Sequence, residues 1–202
     1  MVENLSLASN SAVSDFYLPR PVLELPAAGA RLRPWATTDA KSLAYHANDA
    51  DVARNLRDAF PHPYDLADAR QYLNLVMPAS VSELTLAIEV DGQAAGSISL
   101  LFQTDIGRRS AELGYWLGRA CWGRGIATAA VGALSAYGFA RFDLARLYAT
   151  VFADNAASAK VLEKCGYALE GRLRQAVTKQ GRTFDALLYA RLAATAAIAE
   201  SR

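Results

Sequence analysis

The chain has 202 residues, of which 52% are apolar and 20% are charged, a composition typical of one globular α/β domain. Its 21 Lys and Arg residues nearly balance 20 Asp and Glu, so the formal net charge is +1. This balance provides no overall basic field and argues against direct binding of nucleic acid.

No segment reaches the roughly 18 uninterrupted apolar residues of a membrane span, and the first residues do not combine a basic region with an apolar one. These features predict a soluble cytoplasmic protein without a membrane partner. Cys121 and Cys165 lie far apart, and the two histidines, His46 and His62, lie far upstream of both. This spacing indicates neither a disulfide framework nor a zinc site, so we expect no bound metal.

Residues 1–20 are rich in Ser, Ala and Asn without a period, which is typical of a tail or arm. We expect residues 21–202 to form one domain. Its first predicted elements are a strand at 31–34, a helix after Thr38 or Asp39, a helix at 51–56, and a helix that Asp65 caps and that runs through Met77.

The pattern changes period at residues 84–90, where apolar and polar side chains alternate as in a half-buried strand. Asp91 and Gly92 then predict a hairpin turn. The remaining predicted elements are strands at 94–102, 110–117 and 146–152, helices at 125–139 and 156–165, and a final hairpin of strands at 167–177 and 183–191.

The order of these elements predicts an α/β (α+β) fold, because helices cross between neighbouring strands in the second half of the chain. We expect a mixed, mostly antiparallel sheet of six to seven strands flanked by helices. One parallel pair should lie beside the turn that connects the strand at 110–117 to the helix at 125–139.

This turn, residues 122–128 with the sequence WGRGIAT, is rich in glycine. Glycine permits backbone conformations that aim several amides into one hollow, and the helix start adds unpaired N–H groups and the positive end of its dipole. The segment therefore predicts an anion site, most simply for a pyrophosphate, on the backbone amides of residues 122–127.

Three kinds of phosphate-binding turn have this glycine content. A Walker A loop requires Lys and then Ser or Thr after its last glycine, and no Lys follows Gly125. A dinucleotide-binding turn requires Gly or Ala where this chain has Thr128, although Asp143 lies at a suitable distance for a ribose contact. A nucleotide-dependent oxidoreductase is therefore disfavoured.

The third kind is an x-Gly-x-Gly-x-Ala turn after a strand that carries a glutamate, and here the sequence resembles the GNAT superfamily of N-acetyltransferases. The closest likeness is to its RimJ/RimL-like branch of ribosomal-protein acetyltransferases, and it spans roughly residues 31–192. Trp122 stands where the superfamily often has Gln or Arg, but it agrees with this branch. The segments that carry the likeness are 55–64 (NLRDAFPHPY), 112–117 (ELGYWL), 122–128, 155–158 (NAAS) and 164–167 (KCGY).

The resemblance implies a GNAT-like sheet whose parallel pair splays at the cofactor site, with acetyl-CoA as cofactor. The predicted cofactor-binding residues are Trp116, Leu117, Trp122, Gly123, Arg124, Gly125, Ile126, Ala127, Thr128, Asn155 and Ser158. Among these, Trp116 or Leu117 would donate a backbone N–H to the carbonyl oxygen, exposed by a bulge in the strand. Asn155 would hold the cofactor arm or cap its helix.

Two residues are predicted to be catalytic. Glu112 is the candidate base, because the attacking amine must lose a proton and Glu112 lies on the strand face opposite Leu113 and Tyr115. A carboxylate held in a salt bridge is the alternative. Ser158 matches the serine that donates to the departing thiolate in similar enzymes, and a serine that caps its own helix is the alternative.

The predicted acceptor-binding residues are Arg57, Asp58, Phe60, His62 and Tyr64, since similar enzymes lay this segment over the amine site. A structural loop stiffened by proline is the alternative. We expect the acceptor to be a protein or peptide N-terminal amine, and the chain to be a monomer or homodimer. A small-molecule amine such as an amino acid, polyamine or aminoglycoside, and a non-catalytic acyl-CoA-binding module, are the other hypotheses.

Overall fold

An eight-stranded sheet forms the centre of the structure, a computed structural model that describes residues 18, 20–78, 80 and 82–194. The predicted tail at residues 1–20 lies almost entirely outside the described residues. The strands are β1 (Leu23–Leu25), β2 (Ala30–Arg33), β3 (Glu83–Val90), β4 (Gln93–Phe102), β5 (Ser110–Leu117), β6 (Arg146–Phe152), β7 (Ala168–Lys179) and β8 (Arg182–Leu192).

The spatial order of the strands is β1-β2-β3-β4-β5-β6-β8-β7. Within the described part of the chain, β5 and β6 are parallel and the other neighbours are antiparallel. This confirms the predicted mixed sheet with one parallel pair. The prediction of six to seven strands misses β1, because a strand of three residues that ends just before Pro26 is too short to show alternation.

Helices cover the two faces of the sheet and bury a core on each side. On one face α4 and α5 share a core with Leu86 of β3, and on the other α1 and α3 share a core with its neighbour Ala87, as the two-residue period of a strand requires. The sequence predicts each of the five α-helices found in the described residues, with differences of up to three residues at their ends. They are α1 (Ala40–Ala47), α2 (Ala50–Ala53), α3 (Leu66–Val76), α4 (Ile126–Arg141) and α5 (Ala156–Lys164).

The parallel strands β5 and β6 stay together for only three residue pairs, Ser110 with Arg146, Ala111 with Leu147, and Glu112 with Tyr148. On its other edge, β6 pairs with β8 over all seven of its residues. The carboxyl halves of β5 and β6 therefore separate and leave a wedge between them, which is the splayed pair that the resemblance implies.

Close packing against β4 holds β5 on its side of the wedge. The β4–β5 register is continuous from Gly96 opposite Leu117 to Phe102 opposite Ala111. A Cβ atom added at Gly96 would lie 2.4 Å from the carbonyl oxygen of Trp116, so only glycine allows this approach. The wedge thus lies between two well-paired halves of the sheet.

Candidate active site

The glycine-rich turn before α4 forms an accessible hollow at the start of that helix. Gly123 and Gly125 have φ angles of 73° and 76°, and a Cβ atom at either position would meet nothing within 4 Å. Gly125 is the N-cap residue of the 16-residue α4 and provides no side-chain hydrogen bond to its amides. The first-turn amides and the dipole of α4 therefore fit an anion such as a diphosphate.

The side chains of this turn support the hollow in different ways. The indole Nε1 of Trp122 donates to the carbonyl oxygen of Leu117 at 2.7 Å, which ties the turn to the end of β5. Ile126 is buried and anchors the first turn of α4 in the core. The Arg124 guanidinium lies 3.8 Å from the Asp91 carboxylate, an exposed contact that an anionic ligand can replace at little cost.

The backbone of β5 directs hydrogen-bonding groups into the wedge. Gly118 N–H donates to Ala95 of β4, and Ser110 accepts from Gln103, so residues of even number on β5 face β4. Because strand residues alternate, the backbone groups of Tyr115 and Leu117 face the wedge instead, whereas the Trp116 amide faces β4.

The bulge expected near Trp116 or Leu117 is wrong, since the β4–β5 register has no shift. The irregularity lies one strand away, where β4 has an extra residue opposite the step from Ile88 to Glu89 of β3. The separation of β6, rather than a bulge, exposes the wedge-facing amides of β5.

Glu112 lies at the point where β5 and β6 begin to separate, on the face covered by α1 and α3. Both of its carboxylate oxygens accept from Arg57 Nη2, at 3.3 and 3.4 Å. The Arg57 side chain is 80% exposed and that of Glu112 22%, so this ion pair contributes roughly 0–1 kcal/mol. Burial and the charge of Glu112 raise the pKa of the neighbouring Tyr148. Tyr148 is not among the site residues predicted from the sequence.

Ser158 lies in the first turn of α5, on the other side of the wedge. Asn155 caps this helix, since its Oδ1 accepts from the Ser158 backbone N–H at 3.1 Å. The Ser158 Oγ instead lies 2.6 Å from the Tyr115 hydroxyl of β5. Asn155, not the Ser158 side chain, therefore supplies the helix cap, and the Ser158 hydroxyl contacts Tyr115 across the wedge.

Only some of the residues predicted to bind the acceptor lie beside β5. Arg57 contacts Glu112, and the Phe60 ring packs 5.5 Å from that of Trp116, so both border β5. Tyr64 is 4% exposed and belongs to the core beneath the loop, and His62 lies exposed on the surface.

Asp58 points to a contact that sequence reasoning missed. Lys179, at the end of β7, donates from Nζ to the Leu56 carbonyl oxygen at 2.6 Å and lies 3.6 Å from the Asp58 carboxylate. Its side chain is only 9% exposed. The β7–β8 hairpin therefore holds residues 55–64 in place, and a Lys in a polar turn provides no sequence signal for this.

Lys179→Met should release the loop. The free energy of unfolding should fall by about 1.5–3 kcal/mol, because the substitution removes a charged donor from a shielded carbonyl. The KM for the acceptor should rise while the affinity for acetyl-CoA stays unchanged. Denaturant unfolding measures the free energy, and steady-state kinetics measure the two KM values. Lys41→Met, at an exposed lysine, is the control. The same free energy of unfolding and the same acceptor KM in both variants would contradict the loop-holding role.

An anion hollow at a helix start, a wedge lined by backbone groups, and a carboxylate and a hydroxyl near it fit the chemistry of an acyltransferase that uses coenzyme A. Residues 30–168 match the Acetyltransferase (GNAT) domain family. The chain belongs to this family and is an acetyl-CoA-dependent N-acetyltransferase.

Similar proteins agree with this assignment. An uncharacterized N-acetyltransferase, p20 of Bacillus licheniformis, is 29% identical over 80% of this chain and 91% of the relative. The spermidine N(1)-acetyltransferase of Escherichia coli K12 is 29% identical over 71% of this chain and 75% of its own length. The structure of Mycobacterium smegmatis RimJ with a CoA disulfide is 27% identical, with a TM-score of 0.75 over 86% of this chain and 87% of RimJ. The likeness to the RimJ/RimL branch is confirmed.

Two negative findings apply to the described residues alone. No helix among them is long and apolar enough to cross a membrane. In the same part of the chain, no group of three or more His, Cys, Asp or Glu side chains is arranged to hold a metal ion.

Proposed function

We propose that this enzyme acetylates the N-terminal amine of a polypeptide. The observation that carries the proposal is the charge arrangement beside Glu112. Asp58 lies near the Lys179 ammonium and Glu170 is bound to Arg146, so these two carboxylates are already matched by cations. A single ammonium can replace Arg57 at Glu112, whereas the further ammonium groups of a polyamine would meet carboxylates that are already paired.

The sheet face beyond Glu112 suits an extended peptide. Tyr148, Thr150 and Phe152 follow one another on this face of β6, over about 13 Å at ~3.3 Å per residue. Phe152 stacks on Phe184 of β8 at 5.9 Å. This row has the length of three to four peptide residues and offers apolar contact to their side chains.

The proposed chemistry divides three tasks between the two sides of the wedge. Acetyl-CoA supplies a thioester whose C–S bond breaks as the amine nitrogen bonds to the carbonyl carbon. Glu112 takes the proton from that nitrogen, directly or through one water. A backbone N–H of Tyr115 or Leu117 donates to the carbonyl oxygen as it gains charge, and Ser158 donates to the sulfur that leaves.

The diphosphate end of the cofactor is assigned to the hollow at the start of α4. Backbone amides from Gly123 to Thr128 would hold it, with Arg124 adding a charge-assisted contact. The Trp122 N–H, also predicted for this role, donates instead to the Arg119 carbonyl oxygen at 3.1 Å. Asn155 positions Ser158 by capping α5. These assignments rest on the accessible helix start and on the spacing of the glycines.

A screen of acceptors tests the proposal. Release of free thiol from acetyl-CoA is followed with peptides that have a free N-terminus, the same peptides with a blocked N-terminus and an internal Lys, and spermidine. We expect kcat/KM for the free peptides to exceed the other values at least tenfold. A preference for spermidine would overturn the acceptor class, and binding of acetyl-CoA without turnover of any amine would favour a non-catalytic module.

A further inference from the structure

A tyrosine connects the two sides of the wedge. Tyr115 lies on β5 and Ser158 on α5, and their hydroxyl oxygens are 2.6 Å apart. The Tyr115 hydroxyl also lies 3.2 Å from the Ser158 backbone carbonyl oxygen. No other part of the proposed chemistry uses this side chain, which lies on the strand face opposite Glu112.

The single proton of the Tyr115 hydroxyl allows two arrangements. In one, Tyr115 donates to Ser158 Oγ, and the Ser158 proton stays free. In the other, Tyr115 donates to the Ser158 carbonyl oxygen and accepts from Ser158 Oγ, which consumes the Ser158 proton. Burial raises the pKa of Tyr115 to about 12, so the phenol stays protonated and able to donate at neutral pH.

We propose that Tyr115 is a positioning residue that holds the Ser158 hydroxyl with its proton directed at the cofactor sulfur. This rests on the proposed role of Ser158. As the N–C bond forms and the C–S bond breaks, the electron pair goes to sulfur, the Ser158 proton hydrogen-bonds to it, and the proton from nitrogen goes to Glu112. Tyr115 transfers no proton; its hydrogen bond to Ser158 Oγ selects the first arrangement.

The physical need for such a residue follows from the freedom of a serine side chain. A serine Oγ can occupy three staggered rotamers and its O–H bond can rotate in each. The short contact with a buried phenol selects one rotamer and occupies an acceptor site of Oγ, so the proton points elsewhere. A donor aligned before the reaction stabilises developing charge without reorganisation.

Kinetics of three variants test the coupling. Tyr115→Phe should lower kcat about tenfold, the loss expected when one oriented hydrogen bond is removed, while the KM for acetyl-CoA stays within twofold. Ser158→Ala should lower kcat at least as much. The double variant should equal Ser158→Ala, because Tyr115 acts only through Ser158; independent, multiplying losses would overturn the proposal.

Tyr167 and Ser135 provide a matched control. Their hydroxyl oxygens are 2.8 Å apart in a buried tyrosine–serine pair away from the wedge. Tyr167→Phe should lower thermal stability about as much as Tyr115→Phe and leave kcat unchanged. An equal loss of kcat in both variants would show that the effect of Tyr115 is only structural.

A binding measurement separates this proposal from the proposed function. CoA and desulfo-CoA, which lacks the sulfur, are titrated into each protein at a pH where the free thiol is ionised. Wild type should prefer CoA severalfold, and Tyr115→Phe should lose most of that preference, whether or not an acceptor is turned over. An unchanged preference would refute the positioning role, and absence of amine acetylation would refute the function alone.

Discussion

Glu112→Gln should lower kcat by about 100- to 1000-fold, the range for loss of a positioned general base, and leave the affinity for acetyl-CoA unchanged. The amide has nearly the same shape, so it retains the packing at the wedge but accepts no proton. Stopped-time assays across the pH range and titration with acetyl-CoA measure the two quantities. Rates equal to wild type at every pH would remove Glu112 from the mechanism.

Two further variants show whether Glu112 acts as a base or only holds Arg57. Arg57→Ala removes the ion pair but keeps the carboxylate, so kcat should fall less than tenfold. Glu83→Gln alters a carboxylate on β3 that accepts a hydrogen bond from Thr85 Oγ1 at 2.6 Å and should leave kcat unchanged. A loss in Arg57→Ala as large as in Glu112→Gln would favour the salt-bridge role.

The hollow proposed for the cofactor could be predicted from the sequence because its geometry depends on the backbone. Glycine at positions 123 and 125 signals the left-handed conformations that the structure has, and the apolar run behind them signals the helix whose start faces the ligand. Glu112 could be placed on its face for a similar reason, since a strand has a period of two. Both inferences use local patterns alone.

The contacts that complete the site depend on distances between elements, which no local pattern contains. Tyr115 and Ser158 are 43 positions apart, and Lys179 and Leu56 are 123 apart. The first contact depends on how far β6 and β5 separate, and the second depends on where the β7–β8 hairpin ends. The same limit explains the misplaced bulge, because the β4 irregularity lies at Ala95, which the sequence does not distinguish from its neighbour Ala94.

The charges of the site are arranged in opposite senses on the two sides of the sheet. In the proposed site, the start of α4 offers backbone N–H groups and the positive end of a helix dipole to the cofactor. The proposed acceptor side offers Glu112, which forms an exposed ion pair with Arg57. An incoming ammonium can therefore replace Arg57, and the displaced guanidinium can bind a carbonyl or carboxylate of a peptide acceptor.

Gly125→Asp should weaken acetyl-CoA binding about 100-fold or more. The new carboxylate would lie at the start of α4, within roughly 4 Å of the proposed diphosphate, where two like charges repel by about 4 kcal/mol at an effective dielectric constant near 20. Water and salt reduce this repulsion, so 100-fold, about 2.7 kcal/mol, is the conservative expectation. Isothermal titration with acetyl-CoA and with CoA measures the loss.

Gly125→Asn separates charge from shape in the same experiment. Asn and Asp have nearly the same size, and both tolerate the positive φ of 76° at this position better than other residues. A Cβ atom there meets nothing within 4 Å, so both variants should fold, which thermal unfolding checks. Asn and Asp differ here only in charge. Gly125→Asn therefore lacks the repulsion of the diphosphate, and it should weaken acetyl-CoA binding a few-fold at most. Equal affinities of the two variants would show that no phosphate lies at the start of α4.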